Sequence, residues 1–298
     1  MKILITGSNG LLGQKLIKLL TDSNEEVIAC SRGDNRLPAS LSNYIFHSLD
    51  ITDKKEVELT LATYKPDVVI NTAAMTNVDQ CEIEKEACNL LNITAVSYLI
   101  ESCSKINAHL IHLSTDFIFD GTKGPLTEED EPNPISYYGW SKFKAEQLIE
   151  SSNIAWSIVR TVLVYGVAYD MSRSNIVLWV KKSLEDGQEI SVVNDQWRTP
   201  TLAEDLAIGC YLTVQKSALG VFNISGDETL TPFQMAIKTA EHFGLDRSLI
   251  KETDGSKFTQ TAKRPPRTGF NIKKAQRQIG YQPHSFESGL KVLSSQLS

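Results

Sequence analysis

Gly7-Ser8-Asn9-Gly10-Leu11-Leu12-Gly13 stands between an apolar run, Lys2–Thr6, and a stretch, Leu11–Leu20, whose Leu12, Leu16, Leu19 and Leu20 share one helical face. A glycine-rich loop between a strand and a helix narrows the available folds sharply. Its glycines permit a tight turn, close backbone approach to a pyrophosphate and close helix–sheet packing. The helix N-terminus adds unpaired N–H groups and a partial positive charge. The expected occupant is a dinucleotide, held around Gly7, Asn9, Gly10, Leu11, Leu12 and Gly13.

The alternation of strands and helices continues beyond this unit. Glu26–Cys30, Val68–Asn71, Leu110–Ser114 and Ser157–Thr161 read as strands, and Lys54–Tyr64 as a helix that stops before Pro66. Near-continuous apolar strands separated by helices predict an α/β fold with a doubly wound parallel sheet covered on both faces. Ligands of such sheets bind at the carboxyl ends of the strands. From Gly166 the rhythm loosens. Helical patterns at Ile176–Glu185, Leu202–Val214, Pro232–Phe243 and Ser285–Leu297 alternate with loops and short strands such as Val221–Ile224. The expected division is a dinucleotide-binding domain over 1–165 and a smaller mixed α/β substrate lobe over 166–298, with 202–224 returning to the first sheet. The acidic run Glu128–Glu131 reads as a solvated loop.

Composition closes off other classes. The 298 residues carry 30 Lys+Arg against 36 Asp+Glu, a net charge of −6, whereas proteins that live on nucleic acid or anionic membranes usually show a basic excess. No apolar run approaches the roughly 18 residues of a membrane span. The N-terminus does not have the pattern of a signal peptide. Cys30, Cys81, Cys88, Cys103 and Cys210 are odd in number, scattered and without a CxxC, which argues for a reduced, cytoplasmic setting and against a zinc site or a disulfide scaffold. His112, inside an apolar run, reads as a packed strand residue.

The residue after the second strand reports on the adenine ribose: a carboxylate binds the 2′-hydroxyl of NAD, and an arginine accommodates the 2′-phosphate of NADP. The chain reads Cys30-Ser31-Arg32-Gly33-Asp34. Arg32 favours NADP(H); with Asp34 on the ribose instead, NAD(H) is the alternative. Asp50 and Ile51 fall where the adenine would lie. Ala73 and Ala74, after the strand ending at Asn71, are small enough for backbone to lie against the dinucleotide.

The sharpest constellation is Ser114-Thr115-Asp116 followed by Tyr138-Gly139-Trp140-Ser141-Lys142. Tyr138 and Lys142 are four apart and project from one helical face. A neighbouring ammonium favours phenolate and draws a tyrosine from its ordinary pKa of about 10 towards neutrality. Tyr138 could then exchange a proton with a carbonyl or alcohol oxygen, with Thr115 donating a hydrogen bond to that oxygen.

At these residues the chain resembles the extended short-chain dehydrogenase/reductases, and among them the dTDP-4-dehydrorhamnose reductase group. The resemblance runs nearly end to end. Ala73-Ala74-Met75-Thr76-Asn77-Val78-Asp79 resembles the group's AAxTxVD, Ser114–Gly121 resembles STDYVFDG, and Tyr138–Lys142 resembles YGxSK. Arg160-Thr161, Asn194–Trp197, Pro200-Thr201 and Arg264-Pro265 also match. The resemblance implies an NAD(P)-binding Rossmann fold, a catalytic triad of Thr115, Tyr138 and Lys142, and cofactor contacts that add Thr76 and Asn92 to the residues above. It also implies a nucleotide-sugar substrate whose C4 ketone is reduced; a homodimer is one assembly it allows.

Two departures fall on the sugar side. Leu163 stands where the group commonly carries tryptophan, and Phe117 where it often has tyrosine. With Thr115 and Asp116, these residues are expected to face the sugar. Arg198, Arg264 and Arg267 are candidates for the diphosphate, because arginine suits phosphate geometry. Two rivals stay open: a reductase or epimerase of another nucleotide sugar, and a non-catalytic NADP-binding regulatory subunit such as the superfamily also contains.

Overall fold

The computed structural model describes residues 1–170, 174–257 and 260–297. The chain begins β1 (Lys2–Thr6), α1 (Leu11–Asp22), β2 (Glu26–Ser31), β3 (Tyr44–Ser48), α2 (Lys54–Tyr64) and β4 (Val68–Asn71). Two short helices, α3 (Val78–Ile83) and α4 (Lys85–Asn89), lead through a π-helical turn at Leu90–Thr94 into α5 (Ala95–Ile106). Then come β5 (His109–Thr115), α6 (Tyr137–Glu150), β6 (Trp156–Thr161) and β7 (Val164–Tyr165). The rest of the chain supplies α7 (Ile176–Glu185), β8 (Ile190–Val193), β9 (Thr201–Leu202), α8 (Ala203–Gln215), β10 (Gly220–Asn223), α9 (Pro232–Phe243), β11 (Ile250–Thr253), α10 (Lys273–Ile279) and α11 (Phe286–Ser294).

Seven of these strands form one parallel sheet in the order β10-β6-β5-β4-β1-β2-β3. This is the doubly wound arrangement, with its reversal point between β1 and β4. The strands read as apolar runs because helices cover both faces. Ile3, Ile5, Ile70, Ile111 and Val159 meet Leu16, Ile17 and Leu20 of α1 and Leu206 and Cys210 of α8. On the other face, Leu4, Val69, Leu110 and Ile158 meet Val57 and Leu61 of α2, Val96 and Leu99 of α5, and Ala145 and Ile149 of α6.

Local signals set the element ends. Asp53 accepts hydrogen bonds from the amides of Lys55 and Glu56 to start α2, which ends at Lys65 with φ at 46°, just before Pro66. Thr231 and Gln234 form a capping box on α9, which stops at Gly244 with φ at 66°. β3 is a strand that the sequence reading did not include. It is the sheet's edge, and its residues are half-buried or exposed, so it lacks the continuous apolar signature of its neighbours.

β10 pairs in parallel with β6, so it joins the first sheet, and α8 packs on that sheet's face, although both follow second-lobe elements. The second lobe packs α7 and α9 against the β8–β11 pair through Val180, Leu184, Ile190, Val192, Ala236, Ala240 and Ile250. The acidic run is not simply solvated: Glu128 accepts from the amide of Asn223 and, through its carbonyl, from Arg160, and Asp130 accepts from Thr127 and pairs with Lys123. No described helix is long and apolar enough to cross a membrane.

Candidate active site

A cleft of about 1360 Å³ opens at the carboxyl ends of the strands. Gly7, with φ at 70°, turns the chain out of β1; a Cβ there would lie 2.7 Å from Thr72 Oγ1 and 2.9 Å from the Ala73 nitrogen. At Gly13 a Cβ would meet the Gly7 carbonyl oxygen at 2.4 Å, so this glycine lets α1 close onto the loop. Gly10 caps α1 without a side-chain hydrogen bond, which leaves the amides of the first turn facing the cleft.

Gly7, Asn9, Gly10, Leu11 and Leu12 line the cleft, as do Arg32, Ala74 and Thr76. Asn9 is also a brace: its side chain donates to the Asp34 carbonyl at 2.9 Å and accepts from the Arg36 amide at 3.0 Å, tying the loop after β2 to the glycine turn. Arg32 sits on the rim with its side chain 83% exposed, 3.8 Å from Asp50.

Other expected cofactor contacts are not among the residues that line the cleft. Gly13 is used for packing, and Ile51 belongs to the sheet core. Asp50 accepts from the amide and hydroxyl of Thr52, and Ala73 packs on the core edge. Asn92, buried in the π-helical turn, accepts from the Met75 amide at 2.8 Å and donates to the Met75 carbonyl and to Ser141 Oγ, both at 3.0 Å. It therefore holds the loop after β4 against α6 instead of reaching into the cleft.

Thr115 ends β5, and Tyr138 and Lys142 project from α6; all three line the cleft. Ser136 starts α6 by accepting from the Gly139 amide, so the tyrosine is placed in the first turn. Gly139 has no room for a side chain: a Cβ would sit 2.0 Å from the Phe117 carbonyl oxygen. That contact seats α6 on the turn after β5 and brings Tyr138 beside Thr115. The Phe117 and Tyr138 rings meet edge to face at 5.8 Å.

The electrostatics differ from the sequence expectation. Burial pushes the Tyr138 phenol above its ordinary range, while a hydrogen bond with Thr115 pulls it down. Burial also pushes the Lys142 ammonium down to about 8. Desolvation dominates at both groups, and the nearby Asp116 carboxyl adds to the upward push on the phenol.

Comparison with known proteins places this site in a family. The whole chain, residues 1–298, matches the RmlD substrate binding domain. The chain belongs to that family. It is similar to a dTDP-4-dehydrorhamnose reductase from Clostridium acetobutylicum, 30% identical, with a TM-score of 0.88, covering 100% of this chain and 99% of that one. A dTDP-4-dehydrorhamnose reductase from Bacillus anthracis in complex with NADP is 27% identical, with a TM-score of 0.85, covering 99% of this chain and 100% of that one. Methionine adenosyltransferase 2 subunit beta of Mus musculus is 29% identical, over 97% of this chain and 86% of that protein. By family and fold, this RmlD chain is an NAD(P)-dependent oxidoreductase of the extended short-chain dehydrogenase/reductase type.

The far wall of the RmlD cleft is where sequence and structure part. Asp116, Phe117, Leu163, Arg198 and Arg264 all line it. Arg198, however, is buried and spends its guanidinium on protein acceptors: the carbonyls of Trp197, Pro265 and Pro266, Gln196 Oε1, and Asp116 at 3.8 Å. Burial pushes the Asp116 carboxyl up, against the pull of Arg198 and Thr268. Arg264 grips both oxygens of Asp79 at 2.9 and 2.6 Å and holds that carboxyl down to about 2. Arg267 stacks on Trp197 at 4.4 Å, outside the cleft. Arg264 and, through Asp116, Arg198 thus tie the second lobe to the first, while Arg267 packs within its own lobe. Sequence reasoning missed Trp179, which lines the cleft and is 41% exposed. The signal was available: Val177, Val180 and Leu184 form the buried stripe of α7, and Ile176 and Trp179 lie three apart beside it.

Proposed function

We propose that the protein is an NADPH-dependent reductase of the C4 ketone of a dTDP-bound 4-keto-6-deoxy sugar, converting dTDP-4-dehydrorhamnose to dTDP-L-rhamnose. The observation that carries the reading is one cleft holding both the uncapped glycine turn and the Thr115, Tyr138 and Lys142 side chains. The residues fit a dinucleotide: Gly7, where a Cβ would collide with Thr72 and Ala73, keeps the turn tight, and the first amides of α1 carry no side-chain cap and are open to a diphosphate. The exposed Arg32 guanidinium suits a 2′-phosphate.

Bound NADPH supplies the hydride that reduces the ketone carbon. Tyr138, kept protonated at neutral pH by its burial, donates its proton to the ketone oxygen. Thr115 hydrogen-bonds that oxygen and the phenol. Lys142 stabilises the phenolate left behind. Phe117 and Leu163 line the cleft beyond the strand ends, where the sugar would lie, and Trp179, also in the lining, offers a flat apolar face. A reducing cytosol suits the five cysteines, which are buried and, among the described residues, outside any disulfide.

The direct test is NADPH oxidation with dTDP-4-dehydrorhamnose and a panel of other 4-keto nucleotide sugars. Turnover of the first supports the whole reading. Turnover of another sugar alone keeps the reductase and replaces the substrate, and the apolar Leu163 and Phe117 would account for that outcome. Catalytic silence with tight NADPH binding favours a regulatory subunit, a reading motivated by the likeness to the mouse protein.

Cofactor choice gives a separate prediction. Arg32→Ala weakens NADPH binding about tenfold, the loss of roughly one charged contact, and leaves NADH nearly unchanged. Fluorescence titration of both cofactors measures this; equal affinities in the parent protein refute the assignment of Arg32.

A further inference from the structure

A buried polar side chain without a partner is costly, and one row of the first sheet buries three. Thr6, Asn71 and His112 are neighbours in register on β1, β4 and β5, and each is at most 1% exposed. The row beneath them on the same face, Leu4, Val69 and Leu110, is apolar. Thr6 Oγ1 donates to Asn71 Oδ1 at 2.6 Å, and Asn71 Nδ2 lies 3.0 Å from His112 Nδ1. Lys142 Nζ completes the chain, 2.9 Å from His112 Nε2. Polar residues thus replace the apolar row only at the level where the sheet meets the catalytic helix.

A neutral imidazole offers one N–H and one lone pair. It cannot accept from Asn71 and Lys142 together. When Lys142 is an ammonium, Nε2 accepts from it and Nδ1 carries the hydrogen, which the Asn71 amide receives by turning its oxygen inward and its nitrogen to Thr6. When Lys142 is neutral, the Asn71 nitrogen donates to Nδ1 and Nε2–H donates to the amine. An imidazolium is disfavoured, because burial and the adjacent Lys142 both hold His112 well below its ordinary range.

We propose that His112, backed by Asn71 and Thr6, is the positioning residue that fixes Lys142 beside Tyr138, and that its tautomer is locked to the charge on Lys142. The inference rests on the functional reading above, in which Lys142 supports Tyr138. The other groups around Lys142 are Cys88 from α4, Tyr138 one turn back on α6, and Glu146 one turn on, which is itself paired with Arg160. Neither acidic partner supplies the acceptor that His112 does: Glu146 is engaged by two nitrogens of Arg160, and Cys88 by Asn92.

The test compares His112→Gln, whose amide reaches the Nε2 position, with His112→Asn, which reaches only the Nδ1 position. Thermal melts and NADPH titration establish that both are folded and bind cofactor. The alkaline limb of kcat, read in a Cys88→Ser background that removes the thiol which Cys81 and Ser141 pull down to about 7, reports the loss of the Lys142 proton. An ammonium that has lost its acceptor is less stable, so the limb moves to lower pH. His112→Asn is expected to lose about 10- to 100-fold in kcat, the cost of one charged hydrogen bond, with the limb displaced downward by about one unit. His112→Gln restores most of the rate and returns the limb to the parental position, and KM for NADPH moves little in either variant. Parental pH profiles in both variants, or a limb equally displaced in both, overturn the proposal. Lys142→Met separates the two readings. If it retains parental turnover, the functional reading fails and this one with it. If it is silent while His112→Asn behaves as the parent, only the role of His112 falls.

Discussion

Tyr138→Phe lowers turnover by about 10²–10⁴-fold, the usual contribution of a general acid, while NADPH binding stays near the parental level. The substitution removes one oxygen and keeps the ring, so the edge-to-face contact with Phe117 at 5.8 Å survives and α6 remains seated. Thr115 keeps a second partner, since its hydroxyl donates to Asp116 at 3.0 Å. What disappears is the proton that meets the developing alkoxide. Single-turnover NADPH oxidation with the nucleotide-sugar ketone, beside a cofactor titration, measures both quantities. A Phe variant within about threefold of the parent would remove Tyr138 as the acid. The alkaline side is also fixed in sign. Lys142 titrates at about 8, so stabilisation of the phenolate is present below that pH and fades as pH rises through it.

Arg160→Met destabilises the protein by about 3–5 kcal/mol, the cost of stranding a buried charge, and lowers Tm by roughly 5–15 °C. Arg160 on β6 donates from Nε and Nη2 to the two oxygens of Glu146 on α6, at 3.1 and 2.7 Å. The side chains are 4% and 0% exposed, so water cannot replace either partner. Arg160 also lies over Phe119 at 5.5 Å and donates to the Glu128 carbonyl at 3.4 Å, which makes it a junction of strand, helix and loop. The double variant Arg160→Met/Glu146→Leu is expected to recover most of the loss, because an apolar pair of similar volume leaves no charge behind. Differential scanning calorimetry of the three proteins checks this. A single variant as stable as the parent, or a double variant no better than the single, refutes the account.

The parts legible in the sequence are those whose partners are close along the chain. The glycine turn, its flanking strand and helix, and the Tyr138–Lys142 pair each fit within a few residues, so periodicity and spacing suffice. The straps between the lobes do not. Asp79 finds Arg264 185 residues away, and Asp116 finds Thr268 152 residues away. Nothing local to an arginine tells whether it meets a phosphate or a distant carboxylate, and so the protein partners of Arg198 and Arg264 were not legible. Asn92 carries the family motif but acts through Met75 and Ser141, a role visible only once the loop after β4 is folded over α6. His112 read correctly as a packed strand residue; its bond to Lys142 depends on strand register, which a single sequence does not display.

The contact between Gly139 and the Phe117 carbonyl bears on how such proteins age. The glycine answers to packing, and Tyr138 and Lys142 answer to chemistry, although the three are inherited as one short string. A descendant that abandons turnover for a scaffolding role is released from the second demand and not from the first. Its helix would still need a bare Cα at that position long after the phenol and amine had drifted. The middle of the string therefore answers to architecture, and only its two ends bear on whether such a chain turns over substrate.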